Sequence, residues 1–210
     1  MRIETTESSV KLVEHFPSEG LWRVRWDFRP KLDSEGNTTG VNWYEEEAYG
    51  YIPTIEDIQR TITEWYNKQT NERILHGFKW NGRRVLLSDE NKFNYKAIID
   101  EAARRETAIA IWDKEHPDLA GVTHTFVEGE DGEMMPVPTG RPTSLLPITL
   151  KLGEKNIPEN FYVFATLSEI QEFFSAGVQY LIDAYGYGWM QIATFDYASY
   201  AEALKNLNNE

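Results

Sequence analysis

The stretch GFKWNGRRVLLSDEN, residues 77–91, carries the densest local structural information in this chain. Asn81-Gly82 is the strongest short hairpin signal, because both residues tolerate the positive φ angles of a type I′ turn. The segments on either side of this turn are rich in apolar and aromatic residues. They predict a hairpin whose strands run over 74–80 and 83–87.

A helix is predicted to follow the hairpin. Ser88 follows the second strand and is a good helix N-cap. Asp89 and Glu90 come next, where the helix dipole favours acidic side chains, so we expect a helix over 89–112. The two-residue turn also fixes which residues of the two strands face each other. It gives three facing pairs: Trp80 with Arg83, Phe78 with Val85, and His76 with Leu87.

The N-terminal part predicts a second hairpin followed by a helix. LWRVRWDFRP alternates apolar and charged residues, which is typical of a half-buried strand with its arginines facing water. It pairs with VNWYEEEAYGY to give a hairpin over 22–28 and 42–51. Thr54 then caps a helix over 55–67, whose isoleucines and aromatic residues recur at helical spacing.

The C-terminal part contains two strand-like segments and two amphipathic segments. LLPITLKLG and FYVFA predict strands, and Thr166 with Glu169 forms a capping box for a helix over 167–184. GYGWMQIATF predicts a turn and a short extended piece, before a closing amphipathic segment over 195–207. Residues 113–143 interrupt this order and predict an inserted loop or hairpin around Glu130-Asp131-Gly132.

These elements together predict an α+β fold, in which antiparallel hairpins and small sheets pack against three or four amphipathic helices. We divide the chain into an N-terminal hairpin–helix portion over 1–71 and a hairpin–helix–strand–helix domain over 72–210. The second domain carries the insertion at 113–143.

Composition excludes several classes of protein. The chain of 210 residues has no cysteine and therefore no thiolate nucleophile, thiolate metal site or disulfide. No apolar run approaches the roughly 20 residues that span a bilayer, and the first residues lack the apolar region of a secretory signal. A formal charge of −13 argues against non-specific nucleic-acid binding. We therefore expect no membrane and no nucleic-acid partner, and a cytoplasmic or virion-associated protein.

Exposed aromatic residues are the candidate binding groups. Trp80 beside Arg83 would stack a ligand, or the two would form a cross-strand cation–π contact. The aromatic residues of AYGYGWM, Tyr185, Tyr187 and Trp189, would form a sugar-stacking platform, or they would pack on the core. A metal site would need Asp113, Glu115, His116 and His124 to meet, while solvated loop residues are the simpler interpretation.

Catalytic motifs are missing from the sequence. It has no phosphate-binding loop, no dinucleotide-binding glycine pattern and no nucleophile elbow, and no two histidines have metal-binding helical spacing. A serine triad is defined by geometry, so a small hydrolase stays an alternative. We predict no catalytic residue, no metal and no cofactor.

Three segments together resemble a domain of unknown function found in phage and prophage proteins, often encoded near tail-fibre or tail-assembly genes. They are ILHGFKWNGRRVLLSDENKFNYKAIIDEA, LPITLKLGE and YVFATLSEIQEFFSAGVQYLIDAYGYGW, within residues 72–190. The shared features are the Gly77-Phe78 hairpin with its Gly82 turn, the Ser88 helix start and the Thr166 helix start. The stretch 113–143 is an insertion relative to that pattern, and the family supplies no catalytic residues.

The resemblance implies a non-enzymatic structural or assembly protein, tail-associated, that works through protein–protein contacts. Self-association into a homo-oligomer is one form of such contacts. A carbohydrate- or surface-binding module and a small hydrolase are the alternatives. The apolar faces of 167–184 and 195–207 are the expected contact surfaces if they do not cover each other.

Overall fold

The fold is α+β, as the sequence predicted, with antiparallel sheets and four α-helices among the described residues. The structure is a computed structural model and describes residues 1–7 and 9–207. It divides into two compact units, the first formed by Met1–Thr70 with the segment from Gly186 onward, and the second by Asn71–Tyr185. The sequence-based division placed that last segment with the second domain instead.

The first unit contains a four-stranded antiparallel sheet in the order β1-β4-β3-β2. The central pair is the predicted N-terminal hairpin, here longer than expected. A β-bulge interrupts it between Trp26 and Arg29, where Asp27 has a φ of 57°. The strands are β1 (Arg2–Thr5), β2 (Val13–Phe16), β3 (Leu21–Leu32) and β4 (Thr38–Tyr49).

The alternating pattern predicted that the arginine face of this sheet is in water, but the structure buries charged side chains there. Arg25 and Glu46 are each only 5% exposed, although Arg25 was expected on the water-facing side. The pattern was misread because a charged side chain can be buried when it is paired and hydrogen-bonded. Glu45 is also buried, while Glu47 is exposed.

Two helices complete the first unit. Helix α1 (Ile55–His76) begins at Thr54, whose hydroxyl accepts from the Asp57 amide while the Asp57 carboxylate accepts from the Thr54 amide. α1 continues about two turns past the predicted end. Helix α4 (Tyr197–Leu207) completes an apolar core with the sheet and the first part of α1. The buried members of this core are Val13, Val24, Trp26, Tyr49, Ile58, Ile62 and Tyr200.

This packing explains why the last segment belongs to the first unit. The Tyr200 hydroxyl donates to the backbone carbonyl of Arg25 at 2.6 Å. Phe195 meets the Tyr66 ring edge to face, with the ring centroids 6.2 Å apart. The amphipathic pattern of 195–207 correctly indicated a helix, but its partner in space could not be read from periodicity alone.

In the second unit, Gly77 ends α1 with a φ of 71°. β5 (Phe78–Trp80) and β6 (Arg83–Val85) form the hairpin around Asn81-Gly82. The predicted pairs Phe78–Val85 and Trp80–Arg83 are confirmed. The predicted pair of His76 with Leu87 is wrong, because 74–76 lie in α1 rather than in a strand.

The rest of this unit consists of two long helices, a two-stranded sheet and a hairpin of β7 (His124–Glu128) and β8 (Met134–Pro138). Ser88 caps α2 (Asp89–Glu115) by accepting from the Asn91 amide. β9 (Ile148–Lys151) pairs with β10 (Phe161–Phe164). Helix α3 (Leu167–Ala193) begins at the predicted capping box. It runs through Gly186 and Gly188, so the predicted turn and extended piece are wrong.

An aromatic core holds the second unit together around Phe173, which is 1% exposed. The ring of Phe173 meets those of Phe164, Tyr95 and Trp80, with centroids 5.0, 5.3 and 5.6 Å apart. Such ring pairs contribute about 0.5–1.5 kcal/mol each beyond their buried area. Stretch 77–91 therefore supplies the turn, one wall of this core and the start of α2.

Candidate functional site

The sequence-based candidates Trp80 and Arg83 face each other across the hairpin, but each meets a different partner. Trp80 is half-buried against Phe173. The Arg83 guanidinium lies over the Tyr162 ring, 5.2 Å from its centroid. The Tyr162 hydroxyl donates to Glu169 at 2.5 Å and accepts from Asn81 at 2.7 Å, which ties the turn to the start of α3.

The three aromatic candidates of AYGYGWM lie on α3. Tyr185 is 39% exposed, Tyr187 50% and Trp189 65%. Successive helical residues are rotated by about 100°, so Tyr187 and Trp189 point to nearly opposite sides of the helix. These two rings therefore do not form one flat stacking platform.

The candidate metal ligands are engaged separately. Asp113 accepts two hydrogen bonds of 2.6 Å from Arg141. His116 stacks on Trp112 at 4.4 Å, and the His124 ring lies beside the Thr123 hydroxyl. Within 1–7 and 9–207, no group of three or more His, Asp or Glu side chains is arranged to hold a metal ion.

An apolar groove opens between α2 and α3 in the second unit. Its floor contains Phe173 and Leu87, both buried, and Gly177 on α3 leaves room where a side chain would stand. Residues 92, 95 and 96 of α2 line the groove together, because positions three and four apart lie on one side of a helix. The remaining lining residues are Phe78, Lys92, Tyr95, Lys96, Phe174, Val178 and Leu181.

The groove is small and almost entirely apolar, with a volume of about 190 Å³. Pockets for drug-sized ligands and cofactors are usually about 300–1,000 Å³, so this one suits a single large side chain. Burial raises the pKa of Tyr95 to about 12, and its hydroxyl donates to the Lys151 carbonyl. Tyr95 is therefore a neutral part of the wall, and the ammonium groups of Lys92 and Lys96 mark the rim.

A β-hairpin projects from the same unit within the predicted insertion. β7 (His124–Glu128) pairs antiparallel with β8 (Met134–Pro138), and the turn between them contains Gly132 at a φ of 78°. The described residues add no third strand to this sheet. We call residues 124–138 the arm.

Both faces of the arm expose apolar side chains. Phe126 is 63% exposed, Met134 58%, and both lie on one face by the pairing register. Val127 and Met135 face each other on the opposite face, at 52% and 54%. A two-stranded hairpin is marginally stable alone in water, so the arm would gain from a surface that covers one of these faces.

Prolines protect one edge of the arm. Pro136 and Pro138 stand opposite Phe126 and His124. Proline has no N–H group to donate to a neighbouring strand, and the outer edge of β8 therefore lacks two donors that an added strand would need. This edge disfavours strand addition, which leaves the arm's side chains as the contact groups.

The base of the arm is fastened to the end of α2. The Thr139 amide donates to the Thr123 carbonyl at 3.0 Å, and the Thr139 hydroxyl donates to the Val122 carbonyl at 2.7 Å. The Arg141 guanidinium beside Asp113 holds the pKa of that carboxyl below its usual value. The arm therefore leaves a fixed position rather than a loose loop.

The first unit holds a different kind of site. Glu46 accepts from Arg25 at 2.8 Å and from Arg23 at 2.9 Å, while Arg25 also donates to Glu14 at 2.7 Å. Burial alone would lower the pKa of Arg25, but its bonds to Glu14 and Glu46 raise it above the ordinary value. This network keeps a buried guanidinium charged and paired.

A cleft of about 550 Å³ lies elsewhere in the first unit. Trp26 and Trp65 line it, and their rings meet edge to face with centroids 6.2 Å apart. Three carboxylates and Lys68 share the lining, and one of these carboxylates, Glu45, is already paired with Arg2 at 2.9 Å. The other two are Glu47 and Glu64.

The groove and the arm's exposed faces were missed by the sequence analysis. The arm carried a readable signal, because Phe126-Val127 and Met134-Met135 place apolar residues at both parities, where a half-buried strand would alternate. The groove had no such signal, since its lining comes from segments that are distant in sequence.

Comparison with protein-family models, with curated proteins and with solved structures finds no match. Within 1–7 and 9–207, no helix is long and apolar enough to cross a membrane.

Proposed function

We propose that this chain is a non-enzymatic structural or assembly protein that acts through protein–protein contacts, with the arm as its contact element. The observation that supports this most directly is the exposure of Phe126, Val127, Met134 and Met135 on a hairpin anchored at its base. Contiguous exposed apolar surface on a folded protein marks an interaction site.

The chemistry of the groove favours the same proposal over catalysis. A catalytic cleft needs convergent titratable groups within reach of a substrate. The groove instead has an apolar floor, a neutral tyrosine and two lysines at its rim. Such a lining suits an apolar anchor residue from another polypeptide.

The proposed biological setting is the assembly of a phage or prophage tail, either in the producing cell or on the virion. This part of the proposal depends on the sequence resemblance of residues 72–190. The arm lies in the stretch 113–143, which is an insertion relative to the family pattern. We therefore assign the shared body to the common role and the arm to the specific contact of this chain.

Photo-crosslinking from the arm tests the proposal. A benzoyl-phenylalanine at position 126, in the full chain made in its producing cell, should give a discrete protein adduct that mass spectrometry identifies. Phe161, which is 38% exposed on β10, is the matched control position and should give none. Equal yields at 126 and 161, or no protein adduct at 126, would contradict the role of the arm.

Carbohydrate binding is a second candidate, favoured by the first-unit cleft. Its volume lies in the usual range for small ligands, and it combines the partly exposed indole of Trp65 with carboxylate acceptors. Titration of neutral oligosaccharides against the protein, followed by Trp fluorescence, should then show saturation that Trp65→Ala removes. An unchanged signal across a broad oligosaccharide panel would eliminate this candidate.

A further inference from the structure

We infer that the partner of the arm is a second copy of this chain, and that the arm of one copy docks in the α2–α3 groove of the next. This inference depends on the proposed function and names the partner of the same contact element. It is argued from the match between arm and groove in size, polarity and charge.

The arm and the groove match in size and polarity. The groove of about 190 Å³ has room for one large side chain above Phe173 and Leu87. Phe126 is the largest apolar side chain of the arm and is 63% exposed. Since an aromatic side chain buries about 150–250 Å² when it is covered, Phe126 is the natural anchor residue.

The arm and the groove also carry complementary charge. The tip of the arm is acidic and carries no basic residue. Its carboxylates are exposed, and within the described residues none of them forms an ion pair. Lys92 and Lys96 line the groove, and their ammonium groups are held at its rim by ion pairs with exposed aspartates. The four acidic residues at the tip are Glu128, Glu130, Asp131 and Glu133.

The rim lysines have partners that another carboxylate can replace. Lys92 pairs with Asp89 at 2.7 Å, and Lys96 pairs with Asp100 at 2.8 Å. The Asp89 side chain is fully exposed and that of Asp100 is 63% exposed. Exposed pairs of this kind contribute little to stability, so exchange with the arm's carboxylates is inexpensive. Complementary charge would then orient the arm and speed its docking.

The geometry of this contact has a consequence for assembly. The arm and the groove are different surfaces, so a copy whose arm is docked also has its own groove to offer. Such contacts produce rings or open chains, or a two-fold dimer where two copies dock their arms in each other's grooves. This gives a mixing experiment that an interface between two identical patches would fail.

Two variants separate the halves of the contact. Val178→Glu places a carboxylate in the groove at a residue that is 38% exposed, and it leaves the arm intact. Phe126→Glu removes the anchor of the arm and leaves the groove intact. The matched controls are Val163→Glu and Phe161→Glu on β10, which lines neither surface.

Analytical ultracentrifugation of the full chain gives the decisive readout. The unmodified protein should self-associate with rising concentration, and each of the two variants alone should associate about tenfold more weakly or worse. An equimolar mixture of the two variants should form a 1:1 dimer, since the intact arm of one meets the intact groove of the other. The two controls should associate like the unmodified protein.

Other results overturn the inference. The inference fails if the unmodified protein stays monomeric up to its solubility limit. It also fails if the mixture stays monomeric while the unmodified protein associates. If Val178→Glu fails to fold by circular dichroism, Lys96→Glu at the exposed rim replaces it. A monomeric chain whose residue 126 crosslinks to a different protein overturns the self-docking and leaves the proposed function standing.

Discussion

The two units of this chain differ in what they bury and in how they present apolar side chains. The first unit buries charged groups, since Arg25 and Glu46 are each 5% exposed and paired with each other. The second unit builds a core of aromatic rings and leaves large apolar side chains exposed on the arm. The buried charged side chains have partners within their unit, whereas the exposed apolar side chains of the arm face water. We assign the contact to the second unit because its arm gathers exposed apolar side chains on a hairpin anchored at its base.

We expect the largest effect from a substitution at the centre of the aromatic core. Phe173→Ala leaves a cavity beneath the groove and deletes contacts with several rings. We expect a loss of about 3–5 kcal/mol in the free energy of unfolding, measured by chemical denaturation. Trp fluorescence and far-UV circular dichroism should report the loss. A change below about 1 kcal/mol would mean that Phe173 does not hold this unit together.

The next effect comes from the buried ion pair of the first unit. Glu46→Leu leaves the Arg25 guanidinium buried with Glu14 as its remaining carboxylate partner. Breaking such a pair costs about 3 kcal/mol or more, because one charge stays desolvated. The double variant Arg25→Met with Glu46→Leu should lose less than the single one. If the double variant is the less stable, the network contributes net stability rather than satisfying buried charge.

Two glycines of the opening stretch give the third prediction. Both have positive φ, but a Cβ on Gly77 would lie 1.7 Å from the Val85 carbonyl oxygen, while one on Gly82 meets open space. Gly82→Ala should cost about 1–2 kcal/mol through backbone conformation alone. Gly77→Ala should cost more, because strain and collision add. Thermal unfolding of both variants measures the difference, and equal melting temperatures would contradict it.

Sequence patterns anticipated most local elements for identifiable physical reasons. The Asn81-Gly82 turn, the Ser88 cap and the Thr166 capping box are decided by neighbouring atoms, so a short window contains the necessary information. Errors occurred where a local signal was ambiguous. Gly186 and Gly188 suggested a turn, yet α3 continues through both, and a Cβ on Gly188 would collide with Thr70. Gly188 is thus explained by close packing rather than by a turn.

The candidate site was less accessible than the fold. The groove combines β5, α2 and α3, and which segments meet depends on tertiary packing. Alternation in LWRVRWDFRP placed Arg25 in water, whereas Glu46, 21 residues away, keeps it paired and buried. Trp80 and Arg83 were singled out correctly as cross-strand neighbours, but the ring beneath the guanidinium is that of Tyr162. Long-range partners of this kind leave no trace in a local pattern.

The smallest expected effect concerns the base of the arm and pH. The hydrogen bonds from Arg141 lower the pKa of Asp113, so the ion pair stabilises the folded protein above the ordinary carboxyl pKa of about 4. This contribution is lost as pH falls through the lowered pKa of the folded state. Arg141→Gln should move the Asp113 pKa upward in a carboxyl NMR titration. An identical titration in both proteins would show that the pair does not form.

Replacement of the arm tests the central claim most directly. The Thr123 carbonyl and the Thr139 amide are joined by a 3.0 Å hydrogen bond, so an Asn-Gly turn can substitute for residues 124–138. The shortened protein should keep the melting temperature of the full chain, because the arm adds no residue to the aromatic core. In sedimentation it should lose the self-association of the full chain. Association that persists without the arm, or a shortened protein that no longer folds, would contradict the account.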